Sequence, residues 1–136
     1  MILPEIEIAT AGPGLVEITG PATAGLPGAD GVLTLFVRHT SCSLLVQENA
    51  DPDVRRDLQA WAERLAPALG HPAMDFVTHR AEGPDDMPAH IRAAHLPVSL
   101  SIPVERGRPA LGTWQGIYLW EHRDRPRQRR VARHFG

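Results

Sequence analysis

Thirteen prolines and twelve glycines are dealt out along the whole chain, and they cut it into short elements with turns between them. What lies between the breakers is mostly apolar and β-branched. Residues 32–37, VLTLFV, are apolar at nearly every position, which predicts a strand covered on both faces. Ile2, Ile6 and Ile8 alternate with acids as in a half-buried strand, and Leu15, Val16 and Ile18 suggest a second short extended piece. LLVQ at 44–47, the alternating VSLSIPV at 98–104, a long strand over 110–122 with a hairpin partner before it, and a last strand from Arg130 to Phe135 complete the extended set. Residues 20–30, GPATAGLPGAD, read as a break in regular structure.

Two segments read as helices. Asp51 is an N-cap, Pro52 sits at the first helical position and Asp53 favours the dipole. Val54, Leu58, Trp61 and Leu65 then share a face, and Pro67 stops the run. A shorter helix is expected over 86–95, with Pro88 in its first turn. Strands without βαβ regularity, plus two helices, predict an α+β domain of mostly antiparallel sheets. With 136 residues, there is room for one such domain, residues 1–136.

The charge pattern narrows the chemistry. All 14 basic residues are arginine, so lysine Schiff-base chemistry and a Walker-type phosphate lysine are excluded. The formal net charge is −2, yet residues 121–136 hold six arginines against two acids. That tail lacks the interleaved aromatics of a base-stacking platform, so nucleic acid is not the expected partner. Forked guanidiniums also clamp small phosphates, and the bland alternative is a solvated strand making ion pairs. One cysteine, Cys42, cannot form an internal disulfide, which points to a reducing, cytoplasmic setting. No apolar run approaches the ~20 residues of a membrane span, and the N-terminus has acids where a signal peptide wants bases.

Polar residues gather in a few places. Arg38–Ser43 follows the strand at 32–37, where backbone N–H groups and hydroxyls converge on an anion or cap a turn. Glu48 and Asn49 precede the first long helix, and Asp57 lies at its apolar border. His79, His90 and His95 with Glu82, Asp85 and Asp86 are the densest set, and Asp86 and His90 are i, i+4. They offer ligands for Zn²⁺, Mn²⁺ or Mg²⁺, although the spacing matches no classical zinc signature. Gly112 and Gly116 bracket Trp114 and Gln115, marking a bulge or a close backbone approach; Trp114 packs in the core or faces a ligand.

HTSCSLLVQENADPDVRRDL, THRAEGPDDMPAHIRA and SLSIPVERGRPALGTWQGIYLWEHR, with RR near the end, together resemble the YjbQ-like family, which is described as having secondary thiamine-phosphate synthase activity. The resemblance runs nearly end to end. It implies a β-sandwich of about seven strands with two helices, assembled as a homotrimer. It further implies a cytoplasmic enzyme that joins a pyrimidine pyrophosphate to a thiazole phosphate and releases pyrophosphate. On that resemblance the catalytic set is His39, Asp57, His79, Asp86, His90 and Glu121. The substrate-binding set is Ser41, Ser43, Asn49, Trp114, Gln115, Arg127 and Arg129. His39, His79, Asp86 and His90 are the candidate ligands of a divalent metal, Mg²⁺ or Zn²⁺. A metal-dependent hydrolase and a non-catalytic phosphate- or metabolite-binding module are the alternatives. Two departures stand out: Cys42 replaces the family's usual alanine, and 20–30 is Gly/Pro-rich where the family commonly has a short helix.

Overall fold

A computed structural model describes residues 1–136. In chain order the elements are β1 Ile2–Thr10, β2 Gly14–Glu17, α1 Thr19–Thr23, β3 Gly31–Val37, β4 Cys42–Glu48, α2 Pro52–Leu65, a 3₁₀ turn Pro72–Met74, α3 Asp86–His95, β5 Ser99–Glu105, β6 Arg108–Pro109, β7 Gln115–Glu121 and β8 Arg127–Phe135. The strands make two antiparallel sheets, one of five in the order β1-β8-β3-β5-β6 and one of three in the order β2-β7-β4. Leu33, Leu35, Val37, Ile102 and Val131 from the larger sheet meet Cys42, Leu44, Ile117 and Leu119 from the smaller, and this shared layer is the core. Both sheets need it, because burying these side chains is the main favourable term in folding. No helix is long and apolar enough to cross a membrane.

The α2 start follows its sequence signals: the Asp51 side chain accepts the Asp53 N–H at 2.9 Å, and Pro52 opens the helix. Its packing differs from the expected stripe. Ala62 and Ala66 are buried, whereas Trp61 and Leu65 are exposed. Small side chains let the helix end lie close to its neighbours, and Arg92 of α3 donates there to the Ala62 and Ala66 carbonyls at 3.0 and 2.6 Å. The Ala62 carbonyl also accepts the Ala66 N–H at 3.2 Å, whereas the Ala66 carbonyl lies past the helix end, and Arg92 is its donor.

Four expectations are corrected. A third helix, α1, occupies Thr19–Thr23 inside the stretch read as a break. Pro21 is tolerated because its missing N–H falls in the first turn, where no helical partner exists. The strand expected over 110–122 is confined to Gln115–Glu121, because residues 112–115 close a turn in which the Gln115 N–H meets the Gly112 carbonyl at 3.1 Å. The hairpin partner of β5 is the two-residue β6, and β7 belongs to the other sheet. Finally, β3 is covered on one face only: Leu33, Leu35 and Val37 are buried, while Val32 and Phe36 are 40% and 48% exposed on the outer face of the five-stranded sheet. The doubly buried strand is instead β7, whose residues Gly116 to Glu121 are all buried.

Candidate metal centre

Two segments bring three side chains together. Asp86 and His90 stand one turn apart on the first half of α3, and His79 arrives on the loop after the 3₁₀ turn. Asp86 Oδ2 lies 3.2 Å from His79 Nε2 and 3.3 Å from His90 Nε2, and one donor atom from each residue falls within 4.8 Å of the others. The Asp86 side chain is 5% exposed, against 54% for His79 and 34% for His90, so the set is rooted inside and opens outward.

The surrounding contacts orient these ligands. His90 Nδ1 sits 3.1 Å from the Thr40 carbonyl, which accepts, so Nδ1 carries a proton and Nε2 is the ring nitrogen turned toward Asp86. Asp86 Oδ1 accepts from Arg123 Nη1 at 2.8 Å, which leaves Oδ2 as the free oxygen. That oxygen is buried, and neither imidazole meets it with hydrogen-bond geometry, so it has no hydrogen-bond partner. Arg123 also donates from Nε to Asp85 Oδ2 at 2.8 Å and from Nη2 to the Glu82 carbonyl at 3.1 Å. Its guanidinium is held above the ordinary range chiefly by the Asp85 hydrogen bond. Burial works to raise Asp85, but the Arg123 and Asp124 hydrogen bonds outweigh it and hold the carboxyl below the usual range.

This donor set fits a divalent cation. Ligand atoms about 2.0–2.1 Å from a tetrahedral ion are about 3.3 Å from each other, and two edges of the set already measure 3.2 and 3.3 Å. Two imidazoles and one carboxylate match Zn²⁺ better than Mg²⁺, which prefers oxygen ligands. Three protein ligands also leave a position open.

A second polar cluster lies deeper, and it absorbs several residues expected at the site. Glu121, at the end of β7, is fully buried. Its Oε1 accepts from Thr10 Oγ1 at 2.7 Å and Arg129 Nε at 2.8 Å; its Oε2 accepts from Arg129 Nη2 and from the backbone N–H groups of His122 and Arg123 at 3.1 and 3.2 Å. Arg129 Nη2 also donates to Ser41 Oγ at 2.9 Å. Burial works to raise Glu121, but the hydrogen bonds from Arg129 and Thr10 prevail and keep it below the usual carboxylate range. Ser43, likewise buried, shares a 2.9 Å hydrogen bond with His122 Nε2, and burial lowers His122 to about 4, with the Arg92 charge adding to the effect. Burial raises the neighbouring Cys42 thiol to about 12, so it is an inert core residue.

The remaining expectations fall elsewhere. His39 stands outside the ligand set, its Nε2 lone pair taken by the Arg130 N–H at 2.8 Å; burial, with the Arg129 and Arg130 charges, lowers its pKa. Asp57 is exposed on α2 and makes no hydrogen bond or ion pair. A single neighbouring leucine is too little to place it on an apolar border. Asn49, Trp114 and Gln115 do meet, but as a backbone lock: the Asn49 N–H binds the Trp114 carbonyl at 2.9 Å and its amide binds the Gln115 carbonyl at 3.2 Å. Trp114 itself is 64% exposed. Arg127 is half-buried and borders a separate cleft. The residue missed is Arg123, which holds Asp86 in place; its signal is that it is the first arginine of the basic tail, two residues past a strand that is buried to its last residue.

Comparison with known proteins agrees with the fold. A UPF0047 protein of Synechocystis is 55% identical over 104 residues, covering 76% of this chain and 68% of that one. The UPF0047 protein YjbQ of Escherichia coli O157:H7 is 46% identical over 101 residues, covering 74% and 70%. Among solved structures, a conserved hypothetical protein of Thermus thermophilus matches with a TM-score of 0.86 at 37% identity, over 98% of this chain and all of that one. An uncharacterised YjbQ/UPF0047 protein of Clostridium acetobutylicum matches with a TM-score of 0.83 at 32% identity, with the same coverage. The model of the UPF0047 YjbQ-like family spans residues 4–135, and the chain belongs to that family.

Proposed function

We propose that this chain is a metal-dependent enzyme acting on a phosphorylated small molecule, with thiamine phosphate formation as its reaction. The observation that carries the metal centre is the buried, unpartnered Asp86 Oδ2 facing two imidazole nitrogens. A charged oxygen left in that state is costly, and a cation is the partner that the surrounding donors fit. His79, Asp86 and His90 hold the ion. When bound, it supplies Lewis-acid polarisation of a phosphoryl oxygen and neutralises developing charge there.

The chain's own groups prepare the site. Arg123 takes one Asp86 oxygen so that the other stays directed at the imidazoles, and the Thr40 carbonyl fixes the His90 ring. The reaction taken from the family resemblance joins a thiazole nitrogen to the pyrimidine's exocyclic carbon as the carbon–oxygen bond to pyrophosphate breaks. Ser41 and Ser43 take no part in it, because both hydroxyls are committed to buried partners. The cytoplasm is the proposed location and a trimer the proposed assembly, both taken from the family resemblance; the exposed Val32 and Phe36 on the outer sheet face offer an apolar surface for association. Metal-dependent hydrolysis is the second reading, favoured by a two-histidine, one-carboxylate set with an open position.

Elemental analysis of the purified chain, followed by assay of pyrophosphate release from the two thiamine precursors, tests the proposal. One Zn²⁺ or Mg²⁺ per chain and precursor-dependent release are expected in the wild type. Both should be lost in a His79→Ala, His90→Ala variant, whose truncated side chains are exposed or half-exposed. Turnover that survives in that variant overturns the metal reading. Stoichiometric Zn²⁺ with phosphoester hydrolysis and no condensation favours the second reading.

A further inference from the structure

A polar cleft of about 470 Å³ lies beside the candidate metal centre, between the loop at 82–85 and the turn at 123–127. Apart from Gly83 and Pro84, every residue that lines it is charged. Arg123 and Asp85 form the wall shared with Asp86, and they neutralise each other at 2.8 Å. Arg125 and Arg127 line the cleft without any carboxylate within ion-pairing distance. The Arg127 Nε donor is buried and has no hydrogen-bond partner, so no acceptor in the chain engages that end of its guanidinium. Glu82 and Asp124 also border the cleft, and neither has an ion pair there. A bare anion would meet those like charges, whereas an anion carrying a divalent cation would satisfy guanidiniums and carboxylates together.

We propose that this cleft is a subsite for a phosphate-bearing ligand held as its divalent-cation complex, with Arg125 and Arg127 on the phosphate oxygens and Glu82 and Asp124 on the cation side. The subsite rests on the metal-centre reading for its place in a reaction, though not for binding itself. It replaces Ser41, Ser43 and Arg129, all consumed inside the fold, as the phosphate-holding part of the molecule. Arg123, fully engaged with Asp85, Asp86 and the Glu82 carbonyl, positions the wall and contacts no ligand.

Calorimetric titration of the full chain with inorganic pyrophosphate, with and without Mg²⁺, is the test. Binding is expected to be tighter with Mg²⁺. An Arg125→Gln, Arg127→Gln variant should lose about tenfold or more in affinity, the loss expected for two charge-assisted contacts, while its melting temperature and Zn²⁺ binding stay unchanged. A His79→Ala, His90→Ala variant should keep pyrophosphate binding. Equal affinity in the wild type and the double-arginine variant overturns the subsite, as does no binding by the wild type at millimolar pyrophosphate. Loss of pyrophosphate binding in the double-histidine variant overturns it too, because the anion would then sit on the metal. If the wild type binds no Zn²⁺ and the arginine variant still weakens pyrophosphate, the metal reading fails and the cleft stands.

Discussion

Replacing Glu121 by glutamine separates a catalytic carboxylate from a structural one. Five donors converge on its two oxygens: the Thr10 hydroxyl, two arms of Arg129, and the N–H groups of His122 and Arg123. A glutamine offers one oxygen, so its amide N–H₂ must face at least two donors, and the Arg129 charge, 5% exposed, loses its counter-ion. Breaking one partner of a buried pair costs about 3–5 kcal/mol, a large share of the roughly 5–15 kcal/mol that holds a domain together. For a domain of this size that is a fall of about 10–20 °C in melting temperature. Guanidinium unfolding at pH 7, with zinc affinity measured on the folded protein, reads both roles at once. The expected result is a strongly destabilised variant whose folded fraction still binds metal. Adding Arg129→Met to Glu121→Gln should recover part of the loss, because no unpaired charge remains. A variant destabilised by less than about 1 kcal/mol that has lost turnover would refute the structural reading and return Glu121 to the catalytic set.

Two further outcomes follow from the fold. His122 is lowered to about 4 from an ordinary 6.5, so the unfolded chain takes up its proton first as the pH drops. Its contribution is complete above pH 6.5 and is lost on going down toward pH 4, a total of about 3 kcal/mol. Unfolding of wild type and His122→Gln across that window checks it: the stability difference should shrink with acid, and a pH-independent difference contradicts it. At the β5–β6 turn, Gly107 has φ +81°, and a Cβ there would lie 2.9 Å from the Pro27 carbonyl oxygen. Gly107→Ala should therefore cost about 1–3 kcal/mol in chemical unfolding, and an unchanged midpoint would show that the turn relaxes freely.

Much of this arrangement is legible where the signal is local. The Asp51-Pro52 helix start and the Asp86–His90 pairing on one face of α3 both follow from spacing alone. Placement of His79 against that pair is not legible from spacing, since the loop that delivers it obeys no period; only the density of histidines and acids hints at it. The same limit explains Glu121, Ser41 and Ser43. Polar residues inside an apolar strand suggest a site, and buried donors and acceptors that satisfy one another leave the same pattern in the sequence. β1 shows how tertiary pairing overrides alternation: its register on β8 shifts between Leu3 and Ile6, so Leu3 and Ile8 are buried while Ile2 is 79% exposed.

The absence of lysine acquires a physical reason once the arginines are traced. Arg92 joins two carbonyls at the end of α2, and Arg133 joins those of Pro4, Ala22 and Ala24, tying β8 to the first strand and to α1. Arg123 and Arg129 each engage at least three groups at once. A planar fork with five donors can span acceptors held apart by the fold, whereas an ammonium concentrates three donors at one point. The basic C-terminal segment is thus not one surface. Arg123, Arg129 and Arg133 are committed to the interior, Arg130 lies near Glu5 at 3.9 Å, and Arg125 and Arg127 alone face the cleft without a counter-ion. A nucleic-acid backbone needs an extended row of free cations, and two guanidiniums in a pocket of about 470 Å³ match a small phosphorylated ligand instead.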